Sequence, residues 1–249
     1  MLIRFLWVGL MAGLLAGVPT AAIQHFTTTP LIIQAELYEQ AEHSDHAALD
    51  GPTLLQGGAV IPAGYLLAHG PATEGAADEW APDEGLERTF YTSIATIITA
   101  IGYAFMLLAA MFLAKSEITP RTGLLWGLAG FAAAGLAPSL GLSPELPGAA
   151  SAGLLSRQIW WITTVVTTAC GLWMLLRIST PLAIGIGVVL MVVPHFIGAP
   201  HPELLTSEVP SELAAHFASS SLVLHAIIWA LAGTFVGFMW QRGETPAEQ

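Results

Sequence analysis

The sequence predicts an all-α fold, a polytopic transmembrane helical bundle with about six spans in a single membrane domain, residues 1–249. Of these residues 54% are hydrophobic and only 10% are charged, whereas soluble domains carry about 25% charged residues. The charges are grouped, and the apolar runs between them approach the roughly 20 residues that a helix needs to cross a bilayer. The runs are continuous rather than alternating, which predicts helices instead of strands.

Six apolar segments are predicted to span the membrane: residues 2–22, 89–114, 123–140, 159–176, 182–197 and 217–240. The first also has features of a secretory signal peptide, because Arg4 precedes an apolar run that ends in small residues. Its length favours a retained span. The fifth segment is short and bounded by Pro181 and Pro194, so partial entry into the membrane is the alternative to a full crossing.

Basic residues predict the orientation of the chain. Loop parity places most of them on one side of the membrane: Arg4, Lys115, Arg121, Arg177 and Arg242. Arg88 and Arg157 fall on the other side. The positive-inside rule therefore predicts that both termini are cytoplasmic.

The acidic residues are concentrated in residues 25–88, which are predicted to form an acidic, histidine-bearing extracytoplasmic loop between spans 1 and 2. Pro30 favours a helix start, so residues 30–48 are expected to form a helix. Residues 50–85 are rich in Gly, Pro and Ala and are expected to form an irregular loop. The formal net charge of −11 argues against nucleic acid as a partner and favours cations, since like charges repel.

The placement of the eight histidines points to metal chemistry. Seven map to the outer loops or the outer ends of spans, and His225 lies inside the last span. Imidazole together with carboxylate is a ligand set that Co²⁺, Ni²⁺ and Zn²⁺ accept. A histidine on its own is more often a hydrogen-bonded structural residue, so the prediction depends on the face that these histidines share.

Two groups of candidate ligands lie on that face. Glu36 and Glu39 share a helix face with His43, because residues three and four apart are neighbours on a helix. An acidic surface helix without a metal is the alternative. His195 and His201 lie where prolines and a glycine break the end of the fifth span, a setting in which ion sites occur in transporters. An interfacial turn is the alternative.

Further candidates lie at the last span and in an outer loop. His216 stands four residues after Glu212 at the entry to the last span, and His225 lies about three turns deeper, where an ionisable group indicates function. Glu145 is the only acid in an apolar loop, so it either pairs with Arg157 or faces a metal path. Residues 157–161 are typical of an interfacial anchor of basic and aromatic side chains.

The sequence lacks the motifs that are typical of several other classes of chemistry. The single Cys170 offers no intramolecular disulfide and no cysteine-based metal site. The sequence has no phosphate-binding loop, no dinucleotide fingerprint and no nucleophile turn. Energy from ATP would therefore have to come from another chain.

Six stretches match one family in the same order: residues 30–39 (PLIIQAELYE), 87–89 (ERT), 123–131 (GLLWGLAGF), 144–148 (PELPG), 157–161 (RQIWW) and 194–202 (PHFIGAPHP). On these stretches the sequence resembles the CbtA family of probable cobalt transporter subunits over nearly its whole length. The resemblance implies a multi-pass protein of the bacterial inner membrane that is linked to cobalt supply for cobalamin. It also implies a partner, the small one-span, histidine-bearing CbtB.

The preferred hypothesis is a membrane subunit for metal uptake, with no enzymatic activity and no permanently bound cofactor. Glu36, Glu39, His195 and His201 would capture Co²⁺ or Ni²⁺ outside, and the ion would pass His225. A scaffold or sensor that binds metal without moving it is the first alternative. An intramembrane enzyme with His195 as base and Glu145 as acid is the second. Cobalt itself follows from the resemblance alone, because ligand types do not separate Co²⁺ from Ni²⁺.

Overall fold

The computed structural model describes residues 1–49, 82, 85–202, 207 and 209–243, and for residues 39–49 it describes the backbone alone. The described residues form helices and connecting loops, which confirms the all-α fold. The main helices are α1 (Leu2–Leu49), α2 (Leu86–Leu113), α3 (Pro120–Phe131), α4 (Leu154–Trp173), α5 (Pro181–Ile197) and α6 (Ser211–Arg242). Helix α3 continues through a π-helical turn, Ala132–Leu136, into Ala137–Ser139. Helix α4 continues through a second π-helical turn, Met174–Ile178.

Local sequence explains where two of these helices begin. The Thr119 hydroxyl accepts from the Thr122 amide at 3.2 Å, and Pro120 occupies the first turn of α3. Thr180 caps α5 in the same way, ahead of Pro181. Threonine followed by proline is a strong signal for a helix start. The threonine hydroxyl accepts a hydrogen bond from a first-turn amide that has no partner within the helix, and proline has no backbone N–H that would need one.

Among the described residues, four helical segments are long and apolar enough to cross a membrane: Leu2–Tyr38, Leu86–Leu113, Leu154–Ile178 and Ser211–Arg242. Pro181–Ile197 is apolar but shorter. The third predicted span lies in the helical run from 120 to 139, which the π-helical turn divides. The polytopic helical architecture is confirmed, and the number of crossings stays a prediction.

The expected helix start at Pro30 is wrong. Helix α1 runs without a break from Leu2 to Leu49, with Pro30 inside it. Proline removes one backbone hydrogen bond, but neighbouring helices hold both halves of α1: Ala16 is buried in the bundle core and Leu31 in a second cluster beyond it. Ala16 places the predicted first span in the bundle core, and retention of that span stays a prediction.

The bundle core is formed by α1, α2 and α6. On α1 its fully buried side chains are Ala12 and Ala16, whereas α2 and α6 add the larger Leu108, Met111 and Val236 to alanines of their own. Helix α1 is antiparallel to α2, since a side chain on Gly9 would meet Phe105 whereas one on Gly17 would meet Ile97. The small residues of α1 therefore allow the two helices to approach closely.

Helices α3 and α6 are in backbone contact through paired glycines. A Cβ on Gly233 would lie 2.1 Å from the Gly123 carbonyl oxygen, and one on Gly127 would lie 2.3 Å from the Trp229 carbonyl oxygen. Glycines spaced four apart on each helix form this small-residue face, a common means of packing helices in lipid. Helices α4 and α5 pack against each other beside the bundle, and α4 contacts the π-helical turn of α3.

The basic residues predicted to be cytoplasmic gather at one end of the bundle. The Arg4 guanidinium donates to the Trp240 carbonyl at 2.7 Å, and Arg177 donates to the Ala114 carbonyl at 2.7 Å. We refer to this end, which holds the start of α1 and the end of α6, as the inner end. The opposite, outer end holds the predicted metal ligands other than His225. Cytoplasmic placement of the inner end stays a prediction.

Candidate functional site

The outer end has its own small core, which brings together segments that are far apart in sequence. Leu31 and Ala35 of α1 pack with Leu146 from the loop after α3, and with Val209 and Leu213 at the start of α6. All five are buried. This outer cluster places two of the resemblance stretches, residues 30–39 and 144–148, next to each other.

Glu36, a predicted metal ligand, is held by an arginine. Both of its carboxylate oxygens accept from the Arg88 guanidinium, with Nη1 2.5 Å from Oε2 and Nη2 on Oε1. Both side chains are about a quarter exposed. This two-fold pairing has the geometry of the strongest ion pairs in proteins. A cation that binds Glu36 would have to compete with the guanidinium.

Glu145 pairs with Arg157, which is the first of the two roles predicted for it. Its Oε2 lies 2.7 Å from Nη2 of Arg157, and each side chain is between a quarter and a third exposed. The pair joins the loop after α3 to the first turn of α4. The ion pair gives Glu145 a partner in the absence of metal and gives Arg157 a role beyond an interfacial anchor.

His195 packs on an aromatic ring at the end of α5. The Trp160 ring lies edge-on to the imidazole, with centroids 5.9 Å apart, and the Trp160 indole donates to the Pro194 carbonyl at 3.2 Å. Trp160 is buried, unlike the exposed Trp161 beside it. Helix α5 then ends at Gly198, whose φ of 87° suits glycine and few other residues. His195 is therefore on a rigid, tightly turned support.

The other predicted ligands lie in different settings. His201, Glu212 and His216 are exposed at the outer end. The side chain of Glu39 and those of its neighbours to residue 49 lie outside the described residues, as do Glu203 and most of the loop from 50 to 84. In the part of the chain that the structure describes, no three His, Cys, Asp or Glu side chains come together as a metal-binding group. The predicted ligand set therefore stays a prediction.

His225 is the centre of a hydrogen-bonded aromatic group in the middle of the bundle. Its Nε2 lies 3.0 Å from the Trp229 indole nitrogen and 3.1 Å from the Tyr103 hydroxyl. An indole N–H can only donate, so Nε2 accepts and the ring proton resides on Nδ1. The Tyr103 and Trp229 rings stack with centroids 4.2 Å apart. We refer to Tyr103, His225 and Trp229 as the aromatic partition.

A cavity of about 310 Å³, the outer cavity, lies between α1, α2 and α6 on the outer side of the aromatic partition. Tyr103 and His225 close its inner end. Its polar lining comes from all three helices: Thr20, Gln24 and Thr28 of α1, Thr92, Thr96 and Thr99 of α2, and Ser221 of α6. Hydroxyls and an amide at this depth form a polar track that reaches the middle of the membrane domain.

A second cavity of about 470 Å³, the inner cavity, lies on the other side of the partition. It is lined mostly by apolar and aromatic side chains, including Met106, Trp126 and Trp173, and Arg177 is the charged residue at its inner end. Tyr103 and His225 line both cavities. The aromatic partition therefore separates an outer space whose lining includes several hydroxyls and an amide from an inner space lined mostly by apolar and aromatic side chains.

The π-helical turn of α3 lies beside the partition. A Cβ on Gly135 would be 3.0 Å from the His225 Nδ1 and 2.8 Å from the Phe131 ring, so the imidazole occupies space that a side chain there would fill. Single π-helical turns occur frequently at functional sites. This turn lets α3 pass close to the face of His225 that carries the ring proton.

Most of the outer cavity was not predicted, although the sequence carries a signal for it. Thr20, Gln24 and Thr28 are spaced four apart, which places them on one helix face. Four polar residues of α2 follow the same period: Thr92, Thr96, Thr99 and Tyr103. Thr163 and Thr167 of α4 also bond to carbonyls of their own helix, but they lie outside this lining.

Comparison with known proteins agrees with this architecture. A family model described as "Probable cobalt transporter subunit (CbtA)" matches residues 2–241 of the 249. Neither the curated proteins nor the solved structures give a match. The match covers all the helices described above except the last residue of α6. The chain therefore belongs to the CbtA family of probable cobalt transporter subunits.

Proposed function

We propose that this chain takes up Co²⁺, or the chemically similar Ni²⁺, from the outer face of the bacterial inner membrane. The observation that carries the proposal is the outer cavity, which leads from the outer cluster to His225 through a lining rich in hydroxyls. A scaffold that only binds metal outside would not need a polar space at this depth, because burying polar groups in a membrane domain costs free energy.

Capture begins at the outer end in this proposal. His195 and His201 offer imidazoles on either side of a tight turn, and the acidic residues of the outer face raise the local cation concentration. Glu36 and Glu145 contribute after an arriving cation displaces their arginine partners. Glu39 and His216 complete the proposed set, and His225 lies at the deepest point of the outer cavity.

The family description as a subunit supports a partner protein. We propose a small one-span subunit like CbtB, embedded in the same bilayer, with both termini of this chain in the cytoplasm. The gathering of Arg4, Arg177 and Arg242 at the inner end supports this orientation. The absence of nucleotide motifs places any use of ATP on another chain.

Uptake of labelled Co²⁺ tests the proposal directly. Cells would express this chain alone, the chain with a CbtB-like partner, the partner alone, or neither. We expect uptake above the empty control only when this chain is present, with the partner raising it. Uptake equal to the control in both strains that contain the chain would contradict transport.

A scaffold or sensor that binds metal without moving it is the second candidate. The observation that favours it is the inner cavity, whose lining between the aromatic partition and Arg177 is largely apolar. In that case the same cells would bind Co²⁺ on their surface without accumulating it inside. The enzyme hypothesis loses support, because the Glu145 carboxylate that it needs as an acid pairs with Arg157.

A further inference from the structure

We infer that the outer cavity receives the divalent cation with its water shell intact and binds it through those waters. The inference rests on the proposed function and specifies the form in which the ion enters. It follows from the hydrogen-bonding character of the lining, its lack of formal charge and its size.

Three hydroxyls of the outer cavity, those of Thr20, Thr28 and Thr99, have lone pairs free to accept hydrogen bonds. Thr20 and Thr99 each donate their proton to the carbonyl four residues earlier, at 2.7 and 2.8 Å, and Thr28 does so at 3.5 Å. A hydroxyl has one proton and two lone pairs, so a hydroxyl whose proton is used within its own helix offers lone pairs to the cavity. The cavity therefore suits a ligand that carries many donors.

No residue in the lining can replace the water shell of a divalent ion. The described lining contains no Asp, Glu, Lys or Arg. His225 is the one imidazole there, and its Nε2 already accepts from Tyr103 and Trp229. Removing water from a small divalent ion is costly unless charged or strongly donating ligands take its place. Neutral hydroxyls alone do not supply that compensation.

Water bound to a divalent ion is a strong hydrogen-bond donor, because the ion draws electron density from it. Such waters match the acceptor-rich lining formed by the threonines. The volume of the cavity also suits a hydrated ion. A shell of about six waters, at about 30 Å³ each, fills about 180 Å³. The cavity of about 310 Å³ accommodates that volume.

Hexaamminecobalt(III) is a probe for this site, since its six ammines donate hydrogen bonds and do not exchange. The test uses the purified full chain with Cys170→Ala and Ser221→Cys, so that one thiol reports on the cavity. A small thiol reagent is added at increasing concentrations of the complex. We expect labelling to slow in a saturable way, by about tenfold at about ten times the dissociation constant.

Two controls separate the cavity from the acidic surface. Ser207→Cys reports on an exposed outer loop and should be labelled at the same rate with and without the complex. Thr99→Val removes a hydroxyl that lines the outer cavity, whereas Thr163→Val removes one on α4 that lies outside it; both hydroxyls are exposed and each makes a 2.8 Å bond to its own helix. We expect only Thr99→Val to weaken protection of Ser221→Cys, by about tenfold for one lost charge-assisted hydrogen bond.

Unchanged labelling of Ser221→Cys at saturating complex would overturn the inference. Equal slowing of Ser207→Cys, or equal effects of the two valine variants, would overturn it as well. The proposed function is tested separately. Co²⁺ uptake without protection by the complex leaves transport in place and rejects outer-sphere binding, whereas protection without uptake supports the cavity site and rejects transport.

Discussion

His225 serves as a hydrogen-bond acceptor for two neighbouring side chains. Its Nε2 is shared by the Trp229 indole and the Tyr103 hydroxyl, and its Nδ1 faces Gly135. A metal ion at Nε2 would have to displace both donors and leave a buried indole N–H without a partner. In the structure as it stands, the ring maintains the barrier between the two cavities.

Substitutions in the partition should differ in their effect on stability. His225→Phe leaves the buried Trp229 indole unpaired, so we expect a loss of about 1–2 kcal/mol in the free energy of unfolding. Tyr103→Phe leaves Nε2 still paired with Trp229, so its cost should be smaller. Thermal unfolding of the purified variants in detergent, followed by tryptophan fluorescence, compares them. Equal losses would contradict the assigned hydrogen bonds.

The outer histidines should differ in their effect on metal binding. His195→Ala or His201→Ala should lower Co²⁺ binding or uptake far more than His69→Ala. Both candidates flank a turn that contains Gly198 and Pro200, whereas His69 lies in the predicted irregular loop, where ordering a site costs more conformational entropy. Titration of the purified variants with Co²⁺ measures the difference. Equal effects from all three would indicate diffuse binding to an acidic surface.

Candidate metal-binding residues could be predicted from the sequence where their side chains are ionisable. Glu36, Glu145 and His195 could be identified as outer-face residues, but their pairing with Arg88, Arg157 and Trp160 depends on how distant segments pack. The uncharged lining of the outer cavity was missed. A threonine that bonds to its own helix is common in apolar spans, so only its position relative to the other helices distinguishes a cavity wall from a packed face.

At the level of helices, α1 differs most from its prediction. A proline after an apolar run usually marks a new helix, but α1 continues through Pro30 because two separate clusters hold its two halves. At α3 and α5, by contrast, the helix does begin at its proline, because a threonine cap precedes it. The π-helical turns gave no recognisable sequence signal, because they depend on contacts with neighbouring helices.

The glycine contact between α3 and α6 gives a test at this scale. Gly233→Ala places a Cβ about 2 Å from the Gly123 carbonyl oxygen, so the helices must separate, and we expect a loss of about 1–3 kcal/mol. Gly185→Ala on α5 is the matched control, since nothing lies within 4 Å of its Cβ position. Alanine there should be neutral or slightly stabilising, by up to about 1 kcal/mol. Similar unfolding midpoints for both variants would contradict this close packing.

For the whole molecule, the arrangement of charge predicts its orientation. Ion pairs between carboxylates and arginines lie at the outer end, and arginines bonded to backbone carbonyls lie at the inner end. The apolar core between them belongs to the membrane. The sequence predicted this distribution well, because charge is excluded from lipid regardless of how the helices pack.

Thiol labelling of intact cells tests the orientation. In a Cys170→Ala background, Ser151→Cys in the loop between α3 and α4 should react with a membrane-impermeant reagent. Glu117→Cys, in the loop between α2 and α3, should react only after the cells are opened. The reverse pattern would place the acidic face in the cytoplasm and would remove the basis for metal capture outside.

The bond from Arg4 to the Trp240 carbonyl joins positions 236 residues apart and has a consequence for how the protein is made. At about 5–20 residues per second, ribosomes need on the order of ten seconds or more to produce the stretch between them. During that interval α1 and α2 are made before α6 exists, and Thr96 of α2 can already bond to Gln24 of α1. Helix α6 then supplies the third wall of the outer cavity, and a chain interrupted before α6 leaves the cavity without that wall.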